Sequence, residues 1–306
     1  MTAVLTPETP VETASAMPRK SPRVGWVFGA VWLVVLTVCA LLANQLPFIR
    51  TYDAKVKVLG KAKQYGYGPG WTAWLGTDQS SHDVFARCIY GARQTLIIGV
   101  GATIIGLTIG GLLGVLGGYF RGWVDRVVSI IVDCLLAMPA LLLALLLIQR
   151  ADQIKETITA LGFLTRTEEI TITLGILAIA PFARIVRAQT LALRERDFVL
   201  AARSLGAKSR RVIWREIMPN LVPAMVTVAV TGLGILIAAE GTLAFLGLGV
   251  PRPQTWGTMI DAARDDLDKA WWATIFPCLF LFLTVLSFNL IGDRLARKFD
   301  IREAAV

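Results

Sequence analysis

Histidine is nearly missing from this sequence, and the one present, His82, stands alone. A His-Glu-x-x-His metal pair therefore cannot form, and neither Asp133 nor Asp293 sits in a recognisable catalytic pairing, so a hydrolase finds none of the constellations it needs. Absent too is a Gly-x-x-x-x-Gly-Lys-Ser/Thr cradle, which leaves the chain without a phosphate-binding loop of that kind. Cysteine is limited to four residues. Cys39, Cys134 and Cys278 fall inside long apolar runs and only Cys88 lies outside them, so no outside pair is available for a disulfide. Charge is sparse at 17% of residues, and acid is outnumbered, with 22 Asp and Glu against 31 Lys and Arg. The resulting balance of +9 does not read as nucleic-acid binding, because the basic residues gather in the tail and in a few loops between apolar runs.

What is abundant is apolar sequence: 55% of residues are hydrophobic and the mean hydropathy is +0.61, the composition of a polytopic membrane protein. About twenty apolar residues cross a bilayer core as a helix. Six segments qualify, 25–48, 94–118, 124–148, 170–188, 222–247 and 272–291, which predicts an all-α membrane protein with six transmembrane helices. Arg19, Lys20 and Arg23 precede the first segment, Arg121 and Arg126 flank the turn between the second and third, basic residues crowd from Arg184 to Arg215, and Arg294, Arg297, Lys298 and Arg302 follow the last. The positive-inside rule then places both termini in the cytosol, with the lysine-rich stretch 50–63 as the one exception. Ala14-Ser15-Ala16 resembles a signal-peptidase site but precedes the apolar run, so the first helix is expected to remain as an anchor.

The chain divides accordingly into a disordered cytosolic tail (1–23), a first transmembrane helix (24–48), an extracytoplasmic segment (49–93), a five-helix core (94–293) containing a loop at 195–219, and a cytosolic tail (294–306). Trp71 and Trp74 in the outer segment suit the membrane interface. Gly106, Gly110, Gly114 and Gly118 form a small-xxx-small row along the second helix, a stripe that another backbone can approach closely, whether in this chain or in a partner. Pro139 is expected to kink the third helix and Pro181 the fourth. Charges inside a bilayer face protein or water, which singles out Asp133, Arg184 and Glu240. Asp133 and Arg184 lie at compatible depths, so they either pair or are solvated separately; Glu240 either lines a translocation path or satisfies a backbone group. Scattered Thr103, Thr227, Thr231 and Asn289 form no cluster that selects a ligand.

The most informative segment lies at 195–219. Arg196 to Ser209 reads as a short helix ended by Gly206 in the left-handed conformation, with Ser209 as N-cap of a second short helix that Pro219 stops and Asn220 capping the next span. Leu200-Ala201-Ala202, three residues, Gly206, then Ile217-Met218-Pro219 resembles the cytoplasmic loop of permease subunits in the dipeptide, oligopeptide and nickel class of bacterial ABC importers, without that loop's usual glutamate. Leu75-Gly76-Thr77-Asp78, Asp83-Val84-Phe85, Tyr90-Gly91-Ala92-Arg93, Gly117-Gly118-Tyr119-Phe120, Gly122-Trp123-Val124-Asp125, Glu195-Arg196-Asp197-Phe198, Phe245 to Val250, Thr255-Trp256-Gly257, Trp271-Trp272 and Phe288 to Asp293 continue the likeness in order. The family has a usual Gly-Arg where Ser81-His82 precede Asp83.

The resemblance implies a type I ABC importer transmembrane domain in the bacterial inner membrane, without catalysis of its own, whose coupling helix meets an ATPase through Ala201, Ala202, Leu205 and Gly206. Its implied partners are a second homologous permease, two ABC ATPases that carry ATP and Mg, an extracytoplasmic solute-binding protein and the lipid bilayer, with no nucleic acid. The implied cargo is a small peptide, with nickel or another solute as the alternative within the class. A self-sufficient secondary transporter or channel accounts for the glycines, prolines and intramembrane charges but not for the loop at 195–219.

Overall fold

A computed structural model describes residues 23–57, 67–157 and 164–303. The expected disordered tail before Arg23, the beginning of the glycine-broken run at 65–70 and part of the loop at 152–169 lie outside the described residues. Among the described residues ten α-helices follow one another: α1 (Arg23–Leu41), α2 (Val84–Phe120), α3 (Gly122–Ala137), α4 (Ala140–Thr157), α5 (Arg166–Arg194), α6 (Asp197–Ser204), α7 (Ser209–Arg211), α8 (Met218–Leu243), α9 (Trp256–Ala263) and α10 (Leu267–Glu303). Helix starts follow local chemistry. Asp83 accepts the N–H of Phe85 at 2.9 Å to begin α2, and Thr165 with Glu168 forms a reciprocal capping box at the start of α5.

Of the six expected spans, the third and the first differ from expectation in shape. Among the described residues four stretches are long and apolar enough to cross a membrane: α2, α5, Ser209–Leu248 around α8, and Trp256–Phe299 around α10. The third predicted span is broken, because α3 and α4 meet at 94°. Met138 is extended there (φ −82°, ψ 132°), as a residue preceding proline is driven to be, so Pro139 produces a corner where a kink was expected. The first predicted span also shortens: its apolar helix is Gly25–Leu41, at the short end of the about 17–25 residues that span a bilayer. Beyond Leu41 the chain turns, with Gln45 N donating to Leu42 O at 2.8 Å and Ile49 N to Leu46 O at 3.1 Å. In contrast, α5 runs through Pro181 without interruption. The second helix begins at Val84 rather than near residue 94, which puts Cys88 inside it and fully buried.

At the centre of the bundle α2 lies against α5 along the glycine row, so the row's neighbour belongs to this chain. A methyl group at position 106 would stand 2.5 Å from Ala178 Cβ, at 110 it would stand 2.4 Å from Ile179 O, at 114 2.7 Å from Ala183 O, and at 118 2.8 Å from Thr190 Cβ. Gly175 returns the contact from α5, where a Cβ would meet Ile105 at 2.8 Å. Around this seam α8 packs on both helices, with Ile98, Leu174, Phe182 and Leu236 in one buried cluster. A second cluster joins α1, the beginning of α2, α9 and α10 around Trp256, Cys88 and Ala92.

Residues 42–57 and 67–83 cover one end of the bundle. Trp272 Nε1 donates to Thr77 O at 2.9 Å, and Gly76 (φ +78°) is needed there, since a Cβ would stand 2.5 Å from Trp272 Cδ1. Arg87 pairs with Asp78 and reaches Gln254 Oε1 at 3.1 Å, tying this cover to the α8–α9 connection. Trp71 is fully exposed, while Trp74 stacks on Phe48 with ring centroids 6.3 Å apart. His82 is only 7% exposed; burial, then the charge of Arg87, push its pKa below the usual value, against the opposing pull of Asp78.

Two expectations follow. Gly110→Ala lowers stability by about 1–3 kcal/mol, the cost of overpacking, whereas Gly117→Ala, whose methyl would lie 3.4 Å from its neighbours, stays within about 0.5 kcal/mol; equal thermal unfolding of the two variants in detergent would count against the α2–α5 seam. Because the lowered pKa of His82 means that the unfolded chain takes up its proton first, His82 costs no stability above its ordinary pKa of 6.5 and progressively more as pH falls from there to the depressed folded value. The His82→Gln variant should therefore lose less stability than the parent between pH 7 and pH 5, read by melting temperature at each pH.

Candidate functional site

At the end of the bundle away from that cover, α5 closes at Arg194 and the chain turns into α6. Helix α6 is amphipathic over a short length: Val199 is completely buried and Ala202 packs on the same cluster, three residues apart and so on one face. Leu200 and Leu205 point the other way, at 49% and 88% exposure. Helix α6 stops in a Schellman turn. Gly206 N donates to Arg203 O at 2.9 Å and Ala207 N to Ala202 O at 3.1 Å, which is the paired bonding of that motif with glycine in the left-handed position. Gly206 has φ +80° and nothing within 4 Å of where a Cβ would be, so its requirement is conformational rather than spatial. Ala202 and Ala207 then share the apolar contact that accompanies such turns.

Beyond the turn the sequence expectation fails in an instructive way. Lys208, not Ser209, is the cap residue, and it makes no side-chain capping bond. Pro219 does not stop a second short helix. Instead α7 passes through a π-helical turn at Val212–Ile217 into α8, where Met218 N donates to Ile213 O, five residues back. Placed at the start of α8, Pro219 falls in the first turn, where its missing N–H does no harm. Asn220 caps nothing; its Nδ2 donates to Glu216 O at 2.7 Å. Val212, Ile217 and Leu221 are buried, while Trp214 is 60% exposed. One continuous helical path therefore leads from Ser209 to Leu246, and Gly247 breaks it with φ +80°.

Of the four residues assigned to an ATPase contact, Ala201, Leu205 and Gly206 face outward, and Ala202 is half-buried against the chain's own core. Phe198 (39% exposed), Leu200 and Trp214 enlarge the apolar surface beside them. Sequence reasoning missed these three, although their hydrophobicity within a basic segment was a visible signal. Asp133 and Arg184 are both exposed and form no ion pair among the described residues. Arg187 and Asp125 make the α3–α5 pair instead, with Nη2 to Oδ2 at 2.8 Å. Glu240 is 1% exposed and enclosed between helices, with Thr255 the polar side chain nearest to its carboxylate.

Residues 106–303 match the family described as "Binding-protein-dependent transport system inner membrane component". The chain belongs to that family. It is 37% identical over 234 residues to a glutathione transport system permease protein GsiD of Pectobacterium atrosepticum, a match covering 76% of this chain and 74% of the relative. It is 36% identical over 271 residues to a dipeptide transport system permease protein DppC of Alkalihalophilus pseudofirmus, covering 88% and 84%. The fold agrees with an inward-facing form of the MetNI methionine ABC transporter, with a TM-score of 0.58 and 20% identity over 72% of this chain and 99% of the other. An amino acid ABC transporter gives 0.54 at 18% identity, covering 70% and 94%. The protein is an ABC importer permease, an inner-membrane component with several long apolar helices.

If φ alone fixes Gly206, Gly206→Val loses about 1–2 kcal/mol, the cost of a left-handed backbone, and Gly206→Asn loses clearly less. Thermal unfolding in detergent reads both variants. Equal losses would point to a spatial demand in place of the conformational one.

Proposed function

We propose that this permease forms half of the translocation pathway for small peptides and takes its power stroke through α6. The observation that carries the proposal is the outward surface of Ala201, Leu205 and Gly206, an apolar knob on a short helix whose opposite face is buried in the bundle. A solvent-facing leucine beside a small alanine suits insertion into a groove of another protein, and the basic residues around it suit the anionic inner leaflet, at about 1 kcal/mol each. In this reading α6 is cytosolic, both termini are cytosolic, and the chain crosses the inner membrane six times, with α1 as a short first crossing and α3–α4 as a bent third one.

The assembly comprises this chain, a second homologous permease, two ABC ATPases and an extracytoplasmic solute-binding protein. ATP and Mg belong to the ATPases, and the permease is not itself catalytic. ATPase closure displaces α6, and because α6 is continuous with α5 through a tight turn and with α8 through α7, the displacement reorients the spanning helices and opens the cavity outward. Such a switch needs contacts that differ between its two states. The peptide reading is supported by the glutathione and dipeptide systems named for the relatives, and selection among peptides falls to the binding protein, since the helices hold no polar cluster suited to it.

The test is solute-stimulated ATP hydrolysis by the purified assembly. Ala201→Trp and Leu205→Glu are each expected to reduce it at least tenfold while leaving the permease folded. Undiminished hydrolysis in both variants would remove α6 from the ATPase contact.

A further inference from the structure

We propose that Tyr119 is a positioning residue that clasps α6 to the ends of α2 and α5 by holding two arginines on one aromatic ring. Tyr119 lies in the last turn of α2 and is 5% exposed. Over its ring lie the guanidinium carbons of Arg203, in α6, at 5.0 Å from the centroid, and of Arg194, the last residue of α5, at 5.9 Å. Three helices thus meet at one side chain. Arg194 Nη1 is buried and has no hydrogen-bond acceptor among the described residues, so the negative face of the ring, together with the nearby Glu195 carboxylate, compensates its charge.

The arrangement is more than packing, because the two cations oppose each other. Arg194 feels the charges of both Arg203 and Arg121, opposed by Tyr119 and by the Glu195 carboxylate; Glu195 is engaged with Arg121, so the ring is the group that both Arg194 and Arg203 share. With Tyr119 in place the two arginines draw α6 onto the ends of α2 and α5; without the ring the same pair would push α6 away from α5. The geometry therefore makes Tyr119 decide whether α6 moves with the bundle or independently of it. A transmission role for this clasp rests on the reading of α6 as the ATPase contact, whereas its effect on the order of α6 does not.

The experiment uses the full chain in the assembled transporter in lipid nanodiscs, with two readouts: hydrogen exchange of the backbone at 197–205, and solute moved per ATP hydrolysed. Tyr119→Leu keeps an apolar, though smaller, side chain and removes the ring electrostatics. It is expected to raise exchange at least tenfold and lower transport per ATP at least threefold, while Tyr119→Phe stays within twofold of the parent in both. The decisive variant is Tyr119→Leu with Arg203→Met, which should return exchange to within threefold of the parent by removing one repelling cation. Loss of a merely structural tyrosine would not be relieved in that way. Unchanged exchange in Tyr119→Leu, or a rise that Arg203→Met fails to relieve, overturns the clasp. Should Tyr119→Leu not fold, Arg203→Met alone must raise exchange about threefold and Arg203→Lys must not; failure of that pattern overturns it equally. If exchange responds as expected but no ATPase copurifies with the parent chain, the clasp stands and the reading of α6 as an ATPase contact falls.

Discussion

The contact on which the rest of this bundle depends is backbone against backbone, between α2 and α5. At Gly110 and Gly114 the nearest atoms across the seam are main-chain carbonyl oxygens, so neither helix has a side chain that can yield. In a bilayer, where apolar burial gives little preference for protein over lipid, close van der Waals approach of this kind is a main source of helix association. The seam fixes the spacing of α2 and α5. That spacing sets where α8 lies across them, and it brings Tyr119, Arg187 and Arg194 to the end of the bundle that carries α6. The Arg187–Asp125 pair then holds α3 to the same frame.

Several of these features were legible in the sequence because one residue type has one reason to be there. A glycine every fourth position predicts a flat stripe whatever its partner, though the pattern carries no information on which helix fills it. Gly206 followed by Ala207 predicts a left-handed helix end from backbone sterics alone, and the structure has the Schellman bonding that such a residue permits. Resemblance to a known permease class carried the functional reading furthest, since the ordered run of short motifs spans both apolar helices and loops.

The misreadings share a cause: they concern directions and continuity, which depend on neighbours. Rise along a helix gives depth but not azimuth, so depth alone leaves Asp133 and Arg184 either paired or separately solvated; both are exposed, and the α3–α5 ion pair joins Arg187 to Asp125. Proline rules state a preference and leave its outcome to context. Pro181 passes within a helix, Pro139 turns a corner, and Pro219 is absorbed next to a π-helical turn. Small size likewise has two uses in adjacent residues, since Ala201 faces out and Ala202 packs inward.

The π-helical turn between α7 and α8 has a mechanical corollary. Between Ser204 and Ser209 the connection is a bonded turn of a few residues, and from Ser209 onward the backbone is helical as far as Leu246, where Gly247 (φ +80°) ends the run. A translation of α6 would therefore find no long loop in which to be taken up, and would pass as a tilt or shift into the helical path of α8, up to the point where Gly247 breaks it.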